Sequence, residues 1–367
     1  MKIIEEDKKY YVAINANEKI GPARFKKLAA YFPKMSDAWG ASLGELLEAG
    51  LDETSAESLK ETFKTIDPDE EAAKLEQESI KIIVKGEKAY PKLLSEIYDP
   101  PAILYVKGEI LEQDQLALSV VGTRKPTYYG RQVTPRIVMG LANGGLTIVS
   151  GLARGIDTEA HRAALEAGGR TIGVLAGGLD QRSIYPPENR VLVDKITAGH
   201  GAVISEYHLG TPPLRQHFPA RNRLIAGLSL ATLVIEAAEK SGALLTARHA
   251  LEQGREVFAV PGSIVSYASV GPNNLIKMGA KPITMAQDIL DELDLRSIKL
   301  QAGMKKISAD TREEAALLKV ISQKPKDIDR LIKLSKLDTE VVSATLTMME
   351  MKGKVRNVGC GNYVLKN

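Results

Sequence analysis

Between residues 80 and 295, short apolar runs alternate with longer segments whose apolar positions recur at helical spacing. Six runs stand out, at 116–121, 146–150, 171–176, 201–205, 231–236 and 256–260. Each is too short for an ordinary helix, and most are rich in β-branched residues. Strands buried on both faces of a parallel sheet have this composition. Helices are expected between them, near Gln132–Leu141, Thr158–Ala167 and Ala243–Gln253. Asp157 and Ser241 stand where helix N-caps belong, and Gly168 and Gly254 where helices stop. The alternation is that of repeated βαβ units, so a mostly parallel α/β sheet is expected.

The flanks follow different patterns. Residues 1–75 are polar and helical, with Gly21-Pro22 and Gly50-Leu51 as breakers, and predict a small helical domain. Asp67 to Glu78 is strongly charged and reads as a connecting helix or linker. Residues 296–309 are polar, carry Gly303 and read as a second linker. Residues 310–367 show three short helical patterns, then an alternating stretch from Lys354 to Leu365 that reads as a hairpin. That order suggests a winged-helix module. The domains are therefore placed at 1–75, 80–295 and 310–367.

Composition narrows this picture only in places. A chain of 367 residues accommodates two or three domains. Its net charge is only +3, so any nucleic-acid surface must be a local basic patch. One cysteine, Cys360, excludes a disulfide framework and a cysteine-rich metal site, and fits a reducing, cytoplasmic setting. The charged start, Met1 to Tyr10, is unlike a signal peptide. No apolar run is long enough to span a bilayer; the longest, Leu224 to Ala238, is broken by Gly227, Ser229, Thr232 and Glu236. No membrane association is expected.

Ligands of open parallel sheets bind outside the carboxyl ends of the strands, which directs attention to the residues after each run. Gly122-Thr123-Arg124 follows the first and Gly151-Leu-Ala-Arg154-Gly155-Ile-Asp157 the second, where Ser150 ends the run. Gly177-Gly178-Leu-Asp180 follows the third, Lys240-Ser241-Gly242 the fifth and Pro261-Gly262 the sixth. Glycines permit close backbone approach, and free N–H groups at a helix start favour an anion. With Arg124, Arg154 and Lys240 on three of these turns, a phosphate ester suits the edge better than glycines placed for packing alone. Neither G-x-G-x-x-G nor G-x-x-x-x-G-K-[ST] occurs, so no NAD, ATP or other cofactor is expected.

The connection after the fourth run reads Pro212-Pro-Leu-Arg215-Gln-His217-Phe218-Pro-Ala-Arg221-Asn222-Arg223-Leu-Ile-Ala-Gly227-Leu-Ser229. Cations can track a phosphodiester backbone while an aromatic face accepts a base. The other reading puts Phe218 in the core and pairs the arginines with carboxylates; sequence leaves both open. No catalytic constellation is visible. The five histidines lack metal-ligand spacing, Ser150, Ser205 and Ser241 lack a nucleophile-elbow context, and Asp157 reads as a cap rather than an acid or base. Glu206 is a candidate partner for a turn arginine.

Several of these segments, in this order, resemble the DprA/Smf (DNA-processing) family. They are Asp99–Gly108, Ser119-Val-Val-Gly-Thr-Arg-Lys-Pro126, Val149–Asp157, Phe218–Ser229, Lys240-Ser-Gly-Ala-Leu244, Phe258-Ala-Val-Pro-Gly262 and Gly271–Ala280. The resemblance is dense over 95–295. It implies an extended Rossmann-like, mostly parallel domain, a homodimer, and single-stranded DNA held in a basic pocket. It also implies loading of the recombinase RecA onto that DNA, and protection of incoming strands during natural transformation, without enzymatic activity. The pocket maps onto Arg124, Arg215 and Phe218, with Arg154, Arg221, Arg223 and Lys240 near them. Gly122, Thr123, Ser150, Gly151, Gly155, Asn222, Ser241 and Gly242 supply its turns.

The flanks resemble the family's N-terminal SAM-like or helix-hairpin-helix-like domain, although a Gly-x-Gly hairpin is missing, and its winged-helix domain. The expected recognition helix, Thr339–Met351, is poor in arginine and lysine, which favours a protein-contact or structural role. The rival class is an enzyme, a nucleoside-monophosphate phosphoribohydrolase of similar fold. Those proteins carry Pro-Gly-Gly-x-Gly-Thr-x-x-Glu after a late strand; Glu236 to Thr246 lacks it. For a dimer face, Ala243–Leu251 and Asn273–Met278 are the candidates.

Overall fold

The computed structural model describes residues 5–294, 310–321, 326–352, 354–359 and 361–365. Two compact units are distinguished, Met1–Leu290 and Asp291–Asn367. The expected linker at 296–309 lies outside the described residues.

The first unit is built on a nine-stranded sheet: β1 (Ile80–Val84), β2 (Ile103–Gly108), β3 (Ala117–Val121), β4 (Thr147–Ser150), β5 (Thr171–Val174), β6 (Gly201–Ser205), β7 (Ala231–Val234), β8 (Glu256–Ala259) and β9 (Lys281–Pro282). The spatial order is β1-β2-β6-β5-β4-β3-β7-β8-β9. From β6 to β9 every neighbouring pair is parallel. Strands β3 to β7 are buried along their whole length, as continuous apolar runs require when helices cover both faces. The few hydroxyls in these strands pair internally: Ser119 and Thr232 meet at 2.7 Å across the β3–β7 ladder.

All six expected strands are present within a residue or two of their expected ends. Three others were not expected. β2 follows Pro100-Pro101 and pairs antiparallel with β6, and β1 pairs antiparallel with β2. Together they extend the sheet beyond its parallel block, while the short β9 closes the far edge. The expected helices occupy Tyr128–Asn143, Ile156–Glu166 and Gly242–Glu252. Ser241 caps its helix, its hydroxyl accepting from the Ala243 N–H. Asp157 does not cap: Gly155 takes that position, and Asp157 is the second helical residue.

The chain winds from β3 outward through β4, β5 and β6, then returns to the other flank of β3 with β7 and β8. The order therefore reverses between β3 and β7, leaving a crevice where two successive loops depart in opposite directions.

Six helices between Lys8 and Gln77 precede the sheet and belong to the same compact unit. Ile14, Phe25, Leu28, Met35, Leu46 and Leu59 form their core. The charged stretch is the helix Pro68–Gln77, and its Leu75 packs in one cluster with Ile80 and Tyr105 of the sheet.

Among its described residues the second unit has three helices, Arg312–Val320, Ile328–Ser335 and Thr339–Met351. It also has a three-stranded antiparallel sheet of β10 (Lys326–Asp327), β11 (Val355–Asn357) and β12 (Asn362–Leu365), in the order β10-β12-β11. The expected hairpin is β11–β12, and Leu317, Leu331, Val342, Leu346 and Val355 form the core.

Candidate nucleic-acid interface

Three strand ends are locked together at the reversal point. The Thr123 N–H donates to the Glu236 carbonyl oxygen after β7 at 2.6 Å, and the Ile156 N–H donates to the Thr123 carbonyl oxygen at 3.1 Å. The turns approach so closely that a Cβ on Gly155 would lie 2.3 Å from the Thr123 carbonyl oxygen. Such contacts fix the loops after β3, β4 and β7 as one rigid edge.

That rigidity engages several of the turn N–H groups internally. The Thr123, Lys125, Gly151, Ala153, Ile156, Ser241, Ala243 and Leu244 N–H groups all have protein acceptors. The expected cradle of backbone donors is therefore occupied in part, at Thr123, Gly151 and Ser241.

The segment read as a connection folds into the helix His217–Gly227, and the helix sorts its residues. Arg221 is 4% exposed. Its guanidinium donates to the Gly151 carbonyl at 2.7 Å and also to the Val174 carbonyl. Burial lowers its pKa to about 10, partly offset by Asp157, so it stays charged at neutral pH. The Asp157 carboxylate accepts from the Gly151 N–H at 3.0 Å and the Ala153 N–H at 3.4 Å. Burial raises its pKa, opposed by Arg221 and those N–H groups. Thus Asp157 and Arg221 together clamp the β4 turn.

Arg223 is also internal, paired with Glu206 at 2.6 Å and Asp99 at 2.8 Å. Against burial, these carboxylates hold its pKa above the ordinary value. Glu206 is thus the partner of a helix arginine, not a turn arginine. Ser150 is fully buried and donates to the Val120 carbonyl at 2.6 Å, and the Asn222 amide donates to the Gly242 carbonyl at 3.2 Å. Ser150, Arg221 and Arg223, expected at a ligand surface, face the interior: Ser150 is the last residue of the buried strand β4, and the helix turns Arg221 and Arg223 toward buried carbonyls and carboxylates. His161, on Ile156–Glu166, is buried against Thr171 at 2.6 Å. Burial and then Arg221 lower its pKa to about 3, keeping it neutral.

Arg124, Arg154, Arg215 and Lys240 are exposed, and Phe218 is half-buried. The Arg124 guanidinium lies 5.2 Å from the Phe218 ring centroid, and Arg221 approaches to 6.0 Å. Tyr185 meets Phe218 edge-on at 6.1 Å and carries Arg154 at 5.9 Å. The result is a row of two rings flanked by exposed cations, Arg154–Tyr185–Phe218–Arg124. Arg154 also pairs with Glu188, whereas Arg124, Arg215 and Lys240 make no side-chain hydrogen bond or ion pair with the described residues. Phe218 is neither a core residue nor a detached platform; it is seated at the rim.

Tyr185 and Glu188 escaped the sequence reading, which followed the β5 loop only to Asp180. An aromatic in the Tyr185-Pro-Pro that continues the same strand-end loop was the available signal.

The family model described as DNA recombination-mediator protein A matches residues 81–294, more than half of the chain, and the DprA winged helix domain matches 304–359. The chain belongs to the DprA/Smf family. Protein Smf of Synechocystis is 35% identical over 385 residues, covering 94% of this chain and 96% of that protein. The solved structure of DNA processing protein A from Streptococcus pneumoniae is similar, with a TM-score of 0.67 and 37% identity over 80% of this chain and 99% of that one. DNA processing protein A from Helicobacter pylori, described for its single-stranded DNA binding mode, aligns with a TM-score of 0.52 and 33% identity, over 58% of this chain and 95% of that one. The DprA/Smf resemblance drawn from the motifs is thereby established, as are the mostly parallel α/β fold and the C-terminal winged helix. Among the described residues, no helix is long and apolar enough to cross a membrane.

Proposed function

We propose that this DprA/Smf chain binds single-stranded DNA along the row Arg154–Tyr185–Phe218–Arg124, with Arg215 and Lys240 as further phosphate contacts. The observation that carries the reading is Phe218, half-buried and held edge-on by Tyr185 with Arg124 at 5.2 Å. A ring offers every base a stacking face while guanidinium groups neutralise phosphates, so binding is sequence-tolerant and salt-dependent. Arg221, Arg223, Asp157, Ser150 and Asn222 position this surface without touching DNA.

The likeness to the Helicobacter pylori protein supports the DNA ligand. Family membership supports protection of incoming strands and delivery to RecA in the cytoplasm of a transformable cell. A binding rather than enzymatic role is supported by the chemistry: Ser150 and Ser205 donate to backbone carbonyls and His161 is buried and neutral. The chain acts as a homodimer in this reading. The exposed Ile264, Val265, Tyr267 and Met278, which flank the helix Val270–Lys277, favour the Asn273–Met278 candidate face.

Anisotropy titration with a thymine oligonucleotide and with a duplex tests the proposal. Salt-dependent preference for the single strand is expected; equal affinity for both, or none for either, contradicts it.

A further inference from the structure

The Arg124 guanidinium lies 5.2 Å from the Phe218 ring centroid, yet its side chain makes no hydrogen bond or ion pair with the described residues. Its direction therefore comes from the backbone that carries it. An arginine held in place before the strand arrives loses less freedom on binding than one the strand must order. Whatever holds the turn at 123–127 thus governs how well Arg124 meets a phosphate.

Both ends of that turn are held by one residue, Glu236, which stands just past β7 and is 1% exposed. At the start of the turn, the Thr123 N–H donates to the Glu236 backbone carbonyl at 2.6 Å. At its end, the Thr127 N–H donates to one carboxylate oxygen of Glu236 at 2.9 Å, and the Thr127 hydroxyl donates to the other. An ionised carboxylate only accepts, so it fixes that hydroxyl as a donor. The hydroxyl oxygen in turn accepts the Gly130 N–H at 3.3 Å and caps the helix Tyr128–Asn143. The carboxylate also sits at the N-terminal end of this helix, where negative charge is favoured. Gly130 leaves it room: a Cβ there would lie 2.7 Å from the Glu236 Cδ. Between the two ends, Pro126 restricts the backbone, and the Thr123 hydroxyl accepts the Lys125 N–H at 3.2 Å. The turn is strung between the main chain and the side chain of a single buried residue.

We infer that Glu236 is a positioning residue for DNA binding: by strapping both ends of the turn at 123–127 it aims Arg124 at a phosphate of the strand, without touching the strand itself. A buried carboxylate is costly to keep, and both oxygens of this one are engaged by Thr127. Without the strap, Arg124 keeps its charge and loses its place. The inference rests on the single-strand reading above and adds the group that makes Arg124 effective.

The test measures affinity for a thymine oligonucleotide, and its dependence on salt, in the full chain and its variants. Glu236→Ala removes the side-chain half of the strap. It is expected to lose roughly tenfold in affinity, as for one hydrogen bond to a charged group. The slope of log affinity against log salt should fall by about 0.7, one phosphate contact on a single strand. Glu236→Gln removes the same charge but keeps an acceptor for the Thr127 N–H, and should recover most of the loss. Gly130→Ala keeps the carboxylate but displaces it, and should mimic Glu236→Ala. Adding Arg124→Ala to Glu236→Ala should cost no more than about twofold further, whereas adding Arg215→Ala should cost as much as it does alone. A folded Glu236→Ala or Gly130→Ala chain with wild-type affinity and salt slope overturns the inference whatever its stability, because a merely structural role changes stability alone. Equal losses in Glu236→Ala and Glu236→Gln overturn it too, since charge rather than the strap would then act. Wild-type binding by Arg124→Ala sinks the placement of DNA at that turn, on which the inference depends. No binding by the wild type sinks the single-strand reading itself.

Discussion

The edge of the large sheet and the third helix of the winged-helix unit are the two places where a nucleic acid would be sought from fold alone, and they carry opposite chemistry. The sheet edge displays Arg124, Arg154, Arg215 and Lys240 around Phe218 and Tyr185. The helix Thr339–Met351 turns Glu340, Val341, Ser343, Ala344, Thr347, Met348 and Glu350 outward, with no cation among them. Lys352 and Lys354, which follow it, are bound to Asp310 and Glu314. Architecture proposes a groove-reading helix, and the residues placed on it do not support one. A surface of methionine, threonine and carboxylates fits a protein contact or a structural role better than a phosphate backbone.

The contrast can be broken most severely from within. Arg221→Ala should destabilise the chain by about 3–5 kcal/mol in urea unfolding, because it leaves Asp157 buried without its cation. Little change would mean that Arg221 belongs to the surface set. Phe218→Ala comes next, with a roughly tenfold or greater loss of single-strand affinity from about 1–3 kcal/mol of stacking and no change in salt dependence. Arg124→Ala should weaken binding and also reduce the slope of log affinity against log salt by about 0.7, one phosphate contact on a single strand. In the other region, Glu340→Ala and Met348→Ala should shift single-strand affinity by no more than about 0.5 kcal/mol, the range of exposed substitutions away from special features.

The smallest effect is a pH dependence. The Glu314 carboxyl is held down to about 2 by the Asp310 N–H, then Lys352 and Lys354. A depressed carboxyl stabilises the fold above its unfolded pKa of about 4.5 and loses that contribution as pH falls toward 2. Hydrogen exchange in Thr339–Met351, corrected for intrinsic rates, should therefore quicken below pH 5 in the intact chain. Unchanged protection would remove these ion pairs from the stability of that unit.

The parallel block was legible because both faces of its strands are covered, which writes an uninterrupted apolar run into the sequence. β1 and β2 were not: β1 alternates partly exposed positions, and β2 follows two prolines that read as a turn. The cations on the turns were legible as residues but not as directions. Arg221 and Arg223 sit two apart on one helix and both point inward, one to backbone carbonyls beside Asp157 and the other to Glu206 and Asp99. Those partners lie 17 to 124 residues away in sequence, so only the fold could assign them. Phe218 stayed undecided for the same reason, since Tyr185 comes to it from the β5 loop.

The most direct test compares wild type with an Arg124→Ala, Phe218→Ala double variant by anisotropy, using a twenty-residue thymine strand at two salt concentrations. Wild type should bind the strand with strong salt dependence. The folded double variant should lose roughly tenfold or more in affinity, at least the loss of about 1.4 kcal/mol expected of one contact, since losses from groups that touch need not add. A double variant that binds as tightly as wild type, with the same salt slope, would contradict the placement of DNA on this edge.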